Sequence, residues 1–268
     1  MRIILSALVM LVAFAAAGAK AEDLITEKKV FQIEEFATQS GQKLKAVKVG
    51  WESYGALNAE KSNAILICHF FTGNSHAAGK YAPADKTPGY WDAIIGPGKA
   101  IDTGKYFVLS SDTLVNLSVG DPKVTTTGPA SANPETGKPY GMDFPVVTMR
   151  DFIEVQKQLV DSLGIKKLLM VAGPSMGALQ TYEWAASYPD MVGRIMAVIG
   201  AADADANLVG WLDIWASPIR LDPNWRGGDY YGKTPPLAGL AQALEIVTLH
   251  ANHWKWANKS FAGPNGAK

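Results

Sequence analysis

The chain has 268 residues, and its 25 Lys and Arg residues are balanced by 25 Asp and Glu residues. This length, with an apolar fraction of 48%, suits one large globular domain with one continuous core. The zero formal net charge gives no electrostatic basis for binding nucleic acid or an anionic membrane surface, so we expect neither partner.

The first 21 residues have the pattern of a cleavable secretory signal. Arg2 gives a short positive region, residues 3–17 are nearly all apolar, and residues 19–21 (Ala-Lys-Ala) form a small-x-small cleavage site. The apolar run of about 15 residues is shorter than the ~20 that a spanning helix needs, which disfavours a retained membrane anchor. We therefore expect a periplasmic or secreted protein, cut near residue 21, with no stable membrane anchor afterwards.

Six apolar segments predict the strands of one sheet. Residues 30–36 and 46–54 have alternating or mixed apolarity, which suits antiparallel edge strands. Four shorter and almost wholly apolar segments are typical of strands buried on both faces: residues 64–68, 106–109, 167–172 and 194–199.

Cys68 ends the first of these four. As the only cysteine it can form no intrachain disulfide, and we expect a buried hydrophobe there and not a reactive thiol.

Helical patterns alternate with these strands. Apolar side chains between residues 152 and 163 share one helix face, with Thr148 and Asp151 as an N-cap pair and Gly164 as a stop. A second helix follows Ser175 and should end before Pro189. The alternation predicts an α/β fold for residues 22–202, with a mostly parallel sheet and helices on both faces.

Two regions depart from the alternation. Residues 115–145 are rich in Gly, Thr, Ser and Pro without a clear period, which indicates a functional loop or an insertion. Residues 203–268 show helical spacing but no further strand-like run. We interpret them as a helical lid over the sheet, and an ordinary helical C-terminal layer is the alternative.

Residues 168–177 combine a buried strand with the motif Gly-x-Ser-x-Gly, and a helical pattern follows. A serine on such a tight strand-to-helix turn has its Oγ raised above the sheet, where a substrate carbonyl can reach it. Gly173 and Gly177 leave out side chains that would collide with the neighbouring strand and helix. Because the context fits on both sides, we predict that Ser175 is the nucleophile of an acyl-enzyme site.

Backbone N–H groups should stabilise the oxyanion that forms when Ser175 attacks. The helix after the serine presents its N-terminal N–H groups and the positive end of its dipole. A second donor is expected from the loop after residues 64–68, at Phe71 or Thr72. His69 directly follows this strand, and a structural role that donates to backbone or water is favoured over the role of a base.

Several longer motifs resemble the homoserine O-acetyltransferase family of α/β-hydrolase-fold acyltransferases, over most of the chain after residue 22. The matching segments are residues 69–73, 89–92, 95–98, 101–103, 127–129, 133–141, 143–145, the Ser175 turn and residues 222–231. The resemblance implies that an acyl group passes from an acyl-CoA or ester donor to a hydroxyl acceptor, through a serine acyl-enzyme and without metal or cofactor.

The same resemblance implies roles for individual residues. Ser175 would be acylated, with the backbone N–H groups of Met176 and Phe71 as the oxyanion donors. The matching motifs also contain three residues that we expect to contact substrate: Thr72, Arg226 and Tyr230. A homodimer is a further expectation.

The chain also departs from the family's pattern. Pro174 and Ala178 stand where members normally have glycine, and residues 120–123 look inserted. The family's acid and histidine lie after the lid, a position that none of the histidines matches: His69, His76, His250 and His253. Asp203 and Asp205 follow a predicted strand, where some other α/β-hydrolases carry their acid. We therefore expect the chain to stop within the lid, before the last strands, and to be a poor catalyst in this form.

Three functions stay open at this point. An acyltransferase of the homoserine O-acetyltransferase type is favoured by the motifs. A periplasmic carboxylic-ester hydrolase on the same scaffold is the alternative enzyme, since a secretory signal is foreign to a cytoplasmic biosynthetic enzyme. A non-catalytic binding protein that retains the serine turn is the third.

Overall fold

The computed structural model describes residues 24–261, so the predicted signal segment lies outside the described residues. The strands are β1 (Lys29–Ala37), β2 (Lys43–Tyr54), β3 (Ala64–Cys68), β4 (Ile95–Gly96), β5 (Ile101–Asp102), β6 (Phe107–Ser111), β7 (Leu168–Pro174) and β8 (Ile195–Val198). The helices are α1 (Met149–Ser162), α2 (Met176–Ser187), α3 (Ala206–Leu221), α4 (Leu237–Ala251) and α5 (Trp254–Phe261).

Six of the strands form one twisted sheet in the order β1-β2-β6-β3-β7-β8. β1 pairs with β2 and β2 with β6 in antiparallel fashion, whereas β6, β3, β7 and β8 are parallel to one another. The predicted antiparallel edge and parallel centre are therefore confirmed. All five residues of β3 and all five of β6 are buried, as their continuous apolar or small side chains require.

The two core helices lie against one face of this sheet. Ile153, Leu159 and Val160 of α1 and Trp184 of α2 form a cluster with the apolar side chains that β3 and β6 direct to this face. The start of α1 follows the predicted N-cap, because the backbone N–H of Thr148 donates to the Asp151 carboxylate at 2.7 Å. α1 ends before Gly164, whose φ of 74° suits a helix stop.

The opposite face of the sheet is covered differently within the described residues. No helix among residues 24–261 contributes to the apolar cluster there. The face is covered instead by the irregular segment around residues 77–101, including Ala77, Ala78, Ile95 and Ile101. Backbone contacts hold this segment without helical periodicity: the N–H of Trp91 donates to Ala77 O at 2.7 Å, and the N–H of Gly89 to Gly79 O at 2.9 Å.

The remaining regions have the irregular or helical structure that their sequences predict. Residues 115–145 contain one turn of 3₁₀ helix, Gly141–Asp143, and otherwise irregular backbone. After β8 the described chain is mainly helical, and α3 and α4 contact each other. Within residues 24–261 there is no helix of the length and apolarity that crossing a bilayer requires. The division of the chain at residues 202 and 203 stays a prediction.

Candidate active site

Ser175 lies at the turn between β7 and α2, at the carboxyl end of the central strands. Its backbone has φ 54° and ψ −119°, a strained conformation for a residue with a side chain, and such strain is concentrated at functional sites. The turn is fixed by the sheet, because the N–H of Ser175 donates to Val198 O of β8 at 2.9 Å. The residue is exposed, so its Oγ is accessible from above the sheet.

The glycines on either side of the serine are required by close backbone contact. A β-carbon on Gly173 would lie 2.6 Å from the carbonyl oxygen of Cys68, and one on Gly177 would overlap the same oxygen. β3 therefore approaches the turn more closely than any larger residue permits. Ala178, one of the departures from the family's pattern, is fully buried and faces Gly200, where a β-carbon would overlap its own.

A cleft of about 370 Å³ opens beside Ser175. Its lining is mostly apolar and aromatic: Phe70, Phe71, Thr72, Tyr90, Trp91, Pro174, Ser175, Ile199, Trp215, Val247 and Ala251. The loop after β3 forms one wall and residues of α3 and α4 form another, with the rings of Phe71 and Trp215 6.0 Å apart. Such a cleft excludes water from part of a bound substrate and suits an apolar acyl group.

Of the two predicted oxyanion donors, Phe71 lines this cleft and Met176 directly follows Ser175. Met176 begins α2, so its N–H is among the groups that a helix leaves without an intrahelical partner. Phe71 lies in the loop after β3, and its side chain is 39% exposed. Within residues 24–261, neither the N–H of Met176 nor that of Phe71 donates to another residue. Both groups are thus available to a ligand, although their roles stay predictions.

Buried polar side chains fix the two chain segments that carry these donors. Gln180 of α2 donates to His69 O at 3.3 Å and accepts a hydrogen bond of 2.7 Å from Gln156 of α1. Asn116 donates to Gly73 O at 3.0 Å. Gln180 and Asn116 are buried, so the hydrogen bonds are shielded from competing water.

A buried ionic cluster lies under the continuation of this loop. Glu52 of β2 is fully buried and accepts from the Nδ1 of His76 at 2.9 Å and from the Tyr81 hydroxyl at 2.7 Å, and Lys28 Nζ lies 3.1 Å away. Burial raises the pKa of Glu52, but the hydrogen bond from His76 and the charge of Lys28 more than offset this, and the pKa is lowered from its usual value. Glu52 is therefore a paired carboxylate that stabilises the loop.

The histidines of the described residues have other contacts. Within residues 24–261, none of the four histidines forms a hydrogen bond with its hydroxyl: His69 contacts Phe70 O, His76 pairs with Glu52, His250 stacks on Trp211, and His253 lies against Trp254. The same residues contain no group of three or more metal-ligating side chains. The predicted structural role of His69 agrees with its contact to backbone.

The other predicted substrate contacts divide into two groups. Thr72 lines the cleft beside Ser175. Arg226 is outside the cleft lining, and its guanidinium donates to Thr234 O and to Asn224 Oδ1, both at 3.3 Å. Tyr230 stacks on Tyr231 with ring centroids 4.8 Å apart and is also outside the cleft lining. Their contact with substrate stays a prediction.

Sequence reasoning missed most of the cleft's apolar wall. Tyr90 and Trp91 belong to a matching motif, which was the available signal, but Trp215 and Val247 lie on helices whose sequence carries no such signal. Ile199 has φ 48°, an unusual conformation for a β-branched side chain, and is 84% exposed at the mouth. That strain is visible only in the structure.

The sheet order and the strained serine turn between β7 and α2 define an α/β-hydrolase-fold protein with a nucleophile elbow. Comparisons with known proteins agree. The crystal structure of esterase E22 is 56% identical with a TM-score of 0.86, covering 88% of this chain and 64% of that one. The crystal structure of homoserine O-acetyltransferase from Bacillus anthracis is 42% identical with a TM-score of 0.84, covering 88% and 63%.

The curated relatives share one name. The homoserine O-acetyltransferase of Methanococcoides burtonii is 47% identical over 215 residues, which are 80% of this chain and 43% of that protein. No family model matches the chain. At 42–50% identity the chain is similar, over most of its own length, to curated relatives named homoserine O-acetyltransferase. It spans about half the length of the curated relatives that it matches.

Proposed function

We propose that this chain carries the nucleophile of an acyl-transfer enzyme, in which Ser175 takes an acyl group from an acyl-CoA or ester and passes it to a hydroxyl. One observation carries the proposal: Ser175 is held in a strained, exposed turn beside an apolar cleft, where the N–H groups of Met176 and Phe71 have no partner among residues 24–261. This is the arrangement that acyl-enzyme chemistry requires.

The chemistry has two halves. Ser175 Oγ attacks the acyl carbonyl, the carbonyl oxygen becomes an oxyanion facing Met176 and Phe71, and the thiol or alcohol leaves with a proton as the acyl-enzyme forms. A hydroxyl acceptor then attacks the acyl-enzyme, and the proton it loses returns to Ser175 Oγ. Each attack requires a base. We assign the nucleophile and the oxyanion donors to this chain, and no base among residues 24–261.

Transfer to homoserine is the leading form of the proposal, since curated relatives at 42–50% identity bear the name homoserine O-acetyltransferase. The test uses the protein as expressed from its own gene, mixed with acetyl-CoA and L-homoserine, with acetyl products separated by mass spectrometry. O-acetylhomoserine should form, and Ser175→Ala should abolish it. Homoserine that stays unmodified while the wild-type serine is acylated would refute this acceptor.

Ester hydrolysis is the second candidate, because esterase E22 is 56% identical over 88% of the chain and the cleft is mostly apolar. Hydrolysis and transfer share the acyl-enzyme and differ in whether water or an alcohol attacks it. In the same assay, hydrolysis yields free acetate and no O-acetylhomoserine. A protein that a fluorophosphonate does not label at Ser175 would instead be the non-catalytic binding protein.

Two further parts of the proposal concern organisation. Residues 203–268 act as a lid, which is supported by the contribution of Trp215 and Val247 to the cleft. The protein is exported and cut near residue 21, which is supported by the charge, apolar run and cleavage pattern of residues 1–21. N-terminal sequencing of the mature protein should begin near Glu22, and mature protein that retains Met1 would refute export.

A further inference from the structure

The carbonyl oxygen of Phe70 receives two hydrogen bonds at the start of the loop after β3. The backbone N–H of Gly73 donates to it at 2.8 Å, and the Nδ1 of His69 lies 2.7 Å from it. A carbonyl oxygen cannot donate, so Nδ1 must carry the proton. A carbonyl has two lone pairs, and both are used here. The direction of this carbonyl is therefore determined by two independent donors.

That carbonyl belongs to the same rigid unit as the N–H of Phe71. The peptide bond between Phe70 and Phe71 is planar, and no peptide bond among residues 24–261 is cis. In a trans peptide the N–H points away from the C=O, so a fixed carbonyl of Phe70 fixes the opposite direction of the Phe71 N–H. Phe71 lines the cleft beside Ser175, and its N–H is free of other described partners.

We infer that His69 is a positioning residue that orients the Phe71 N–H as an oxyanion donor, by holding the Phe70 carbonyl through Nδ1. The inference rests on the proposed acyl-enzyme at Ser175. It concerns the donor's direction only, because His69 contacts the backbone and neither the serine nor the cleft.

The surroundings of His69 suit a fixed donor and not a base. The residue is 1% exposed, and its Nε2 is buried without a partner among residues 24–261. Burial lowers the pKa of the imidazole, and the hydrogen bond to Phe70 and the charge of Asp112 offset only part of this. The ring therefore stays neutral with its single proton on Nδ1, and a second proton on Nε2 would be buried unpaired.

Further hydrogen bonds fix the rest of the loop, and only its tip is exposed. Asn116 donates to Gly73 O at 3.0 Å, and Gln180 donates to His69 O at 3.3 Å. A β-carbon on Gly73 would lie 3.2 Å from Phe70 O, so the turn is also closely packed. Between these fixed points, Phe71 and Thr72 are the exposed residues.

Two substitutions at His69 separate the effect of the hydrogen bond from the effect of the ring's volume. His69→Leu removes the donor at similar volume, whereas His69→Asn keeps an N–H donor near the position of Nδ1. His253→Leu, at an exposed histidine, is the matched control. If His69→Leu does not fold, His69→Gln replaces it, because its amide reaches the Nε2 position and not that of Nδ1. Circular dichroism and the melting temperature confirm folding of each variant.

The first readout does not depend on activity: the backbone ¹⁵N–¹H signal of Phe71 in the protein expressed from its own gene. We expect one sharp signal in the wild type, in His69→Asn and in His253→Leu. In His69→Leu the signal should shift and broaden as the peptide plane becomes free to turn. A Phe71 signal in His69→Leu with the wild-type position and width would overturn the inference.

The second readout is turnover of p-nitrophenyl acetate. Loss of an oxyanion donor lowers kcat by up to about 10²–10³-fold, so His69→Leu should lower kcat by about tenfold or more and change KM little. His69→Asn should restore most of kcat. A raised KM with unchanged kcat would contradict the positioning role. Wild-type protein without acylation or turnover would remove the proposed function, and the Phe71 signal would still decide whether His69 sets the peptide plane.

Discussion

The buried carboxylate of Glu52 makes the stability of the fold depend on pH. Its pKa in the folded protein lies below the ordinary value of 4.5. A lowered pKa contributes stability that is fully present above that value and is lost as pH falls through the folded pKa. We expect Glu52→Gln to lower the free energy of unfolding at pH 7 by about 1–3 kcal/mol, and this difference to shrink below pH 4.5.

Urea unfolding of the wild type and Glu52→Gln between about pH 7 and pH 3 measures this difference. Exposed Glu60 supplies the control, since Glu60→Gln should leave the free energy of unfolding within about 0.5 kcal/mol of the wild type. A difference between the wild type and Glu52→Gln that stays constant across the pH range would contradict the account.

Gly177 is the second residue with a sharp expectation. An added β-carbon would overlap the carbonyl oxygen of Cys68, which is backbone and cannot move aside. Gly177→Ala should destabilise the protein by about 1–3 kcal/mol and displace Ser175. Gly210→Ala in α3, where a β-carbon meets nothing within 4 Å, should be neutral or stabilising by up to about 1 kcal/mol. Thermal melts and fluorophosphonate labelling compare the two, and equal behaviour would show that the close contact is unimportant.

At the scale of elements, Asp151 joins the start of α1 to the turn between β1 and β2. It is fully buried, accepts the N–H of Thr148 at 2.7 Å and also accepts the N–H of Gln39 at 2.7 Å. Asp151→Ala leaves both donors unsatisfied and should lower the free energy of unfolding by about 2–3 kcal/mol. Asp161→Ala removes only an exposed pair with Lys157 and should cost less than about 0.5 kcal/mol. Denaturant titration separates the two, and similar losses would refute the special role of Asp151.

Elements could be predicted from the sequence where burial on one or both faces determines the pattern of apolar residues. β3 is buried on both faces and α1 on one, so their apolar patterns predicted both. β4 and β5 have two residues each, too few for any period to show. The irregular cover of the second sheet face among residues 24–261 could not be predicted, because its hydrogen bonds connect residues such as Ala77 and Trp91 that no local pattern relates.

Across the whole molecule, some residues of the candidate site could likewise be predicted from the sequence and others could not. The serine turn was predictable because a strand, two glycines and a helix must follow one another there. The apolar wall was not, because Trp215 and Val247 reach the cleft only through the packing of α3 and α4. Arg226 was expected at the substrate from a motif alone, and this stays a prediction, since its guanidinium donates to Thr234 and Asn224 in this structure.

A covalent acyl intermediate on Ser175 underlies both candidate functions. The most direct measurement is intact-mass spectrometry of the protein expressed from its own gene, a few seconds after mixing with acetyl-CoA or p-nitrophenyl acetate, followed by peptide mapping. We expect one added acetyl group, mapped to Ser175 and absent from Ser175→Ala, whose turnover should fall by about 10³-fold or more. An acetyl group mapped to another residue, or full turnover by Ser175→Ala, would contradict the account.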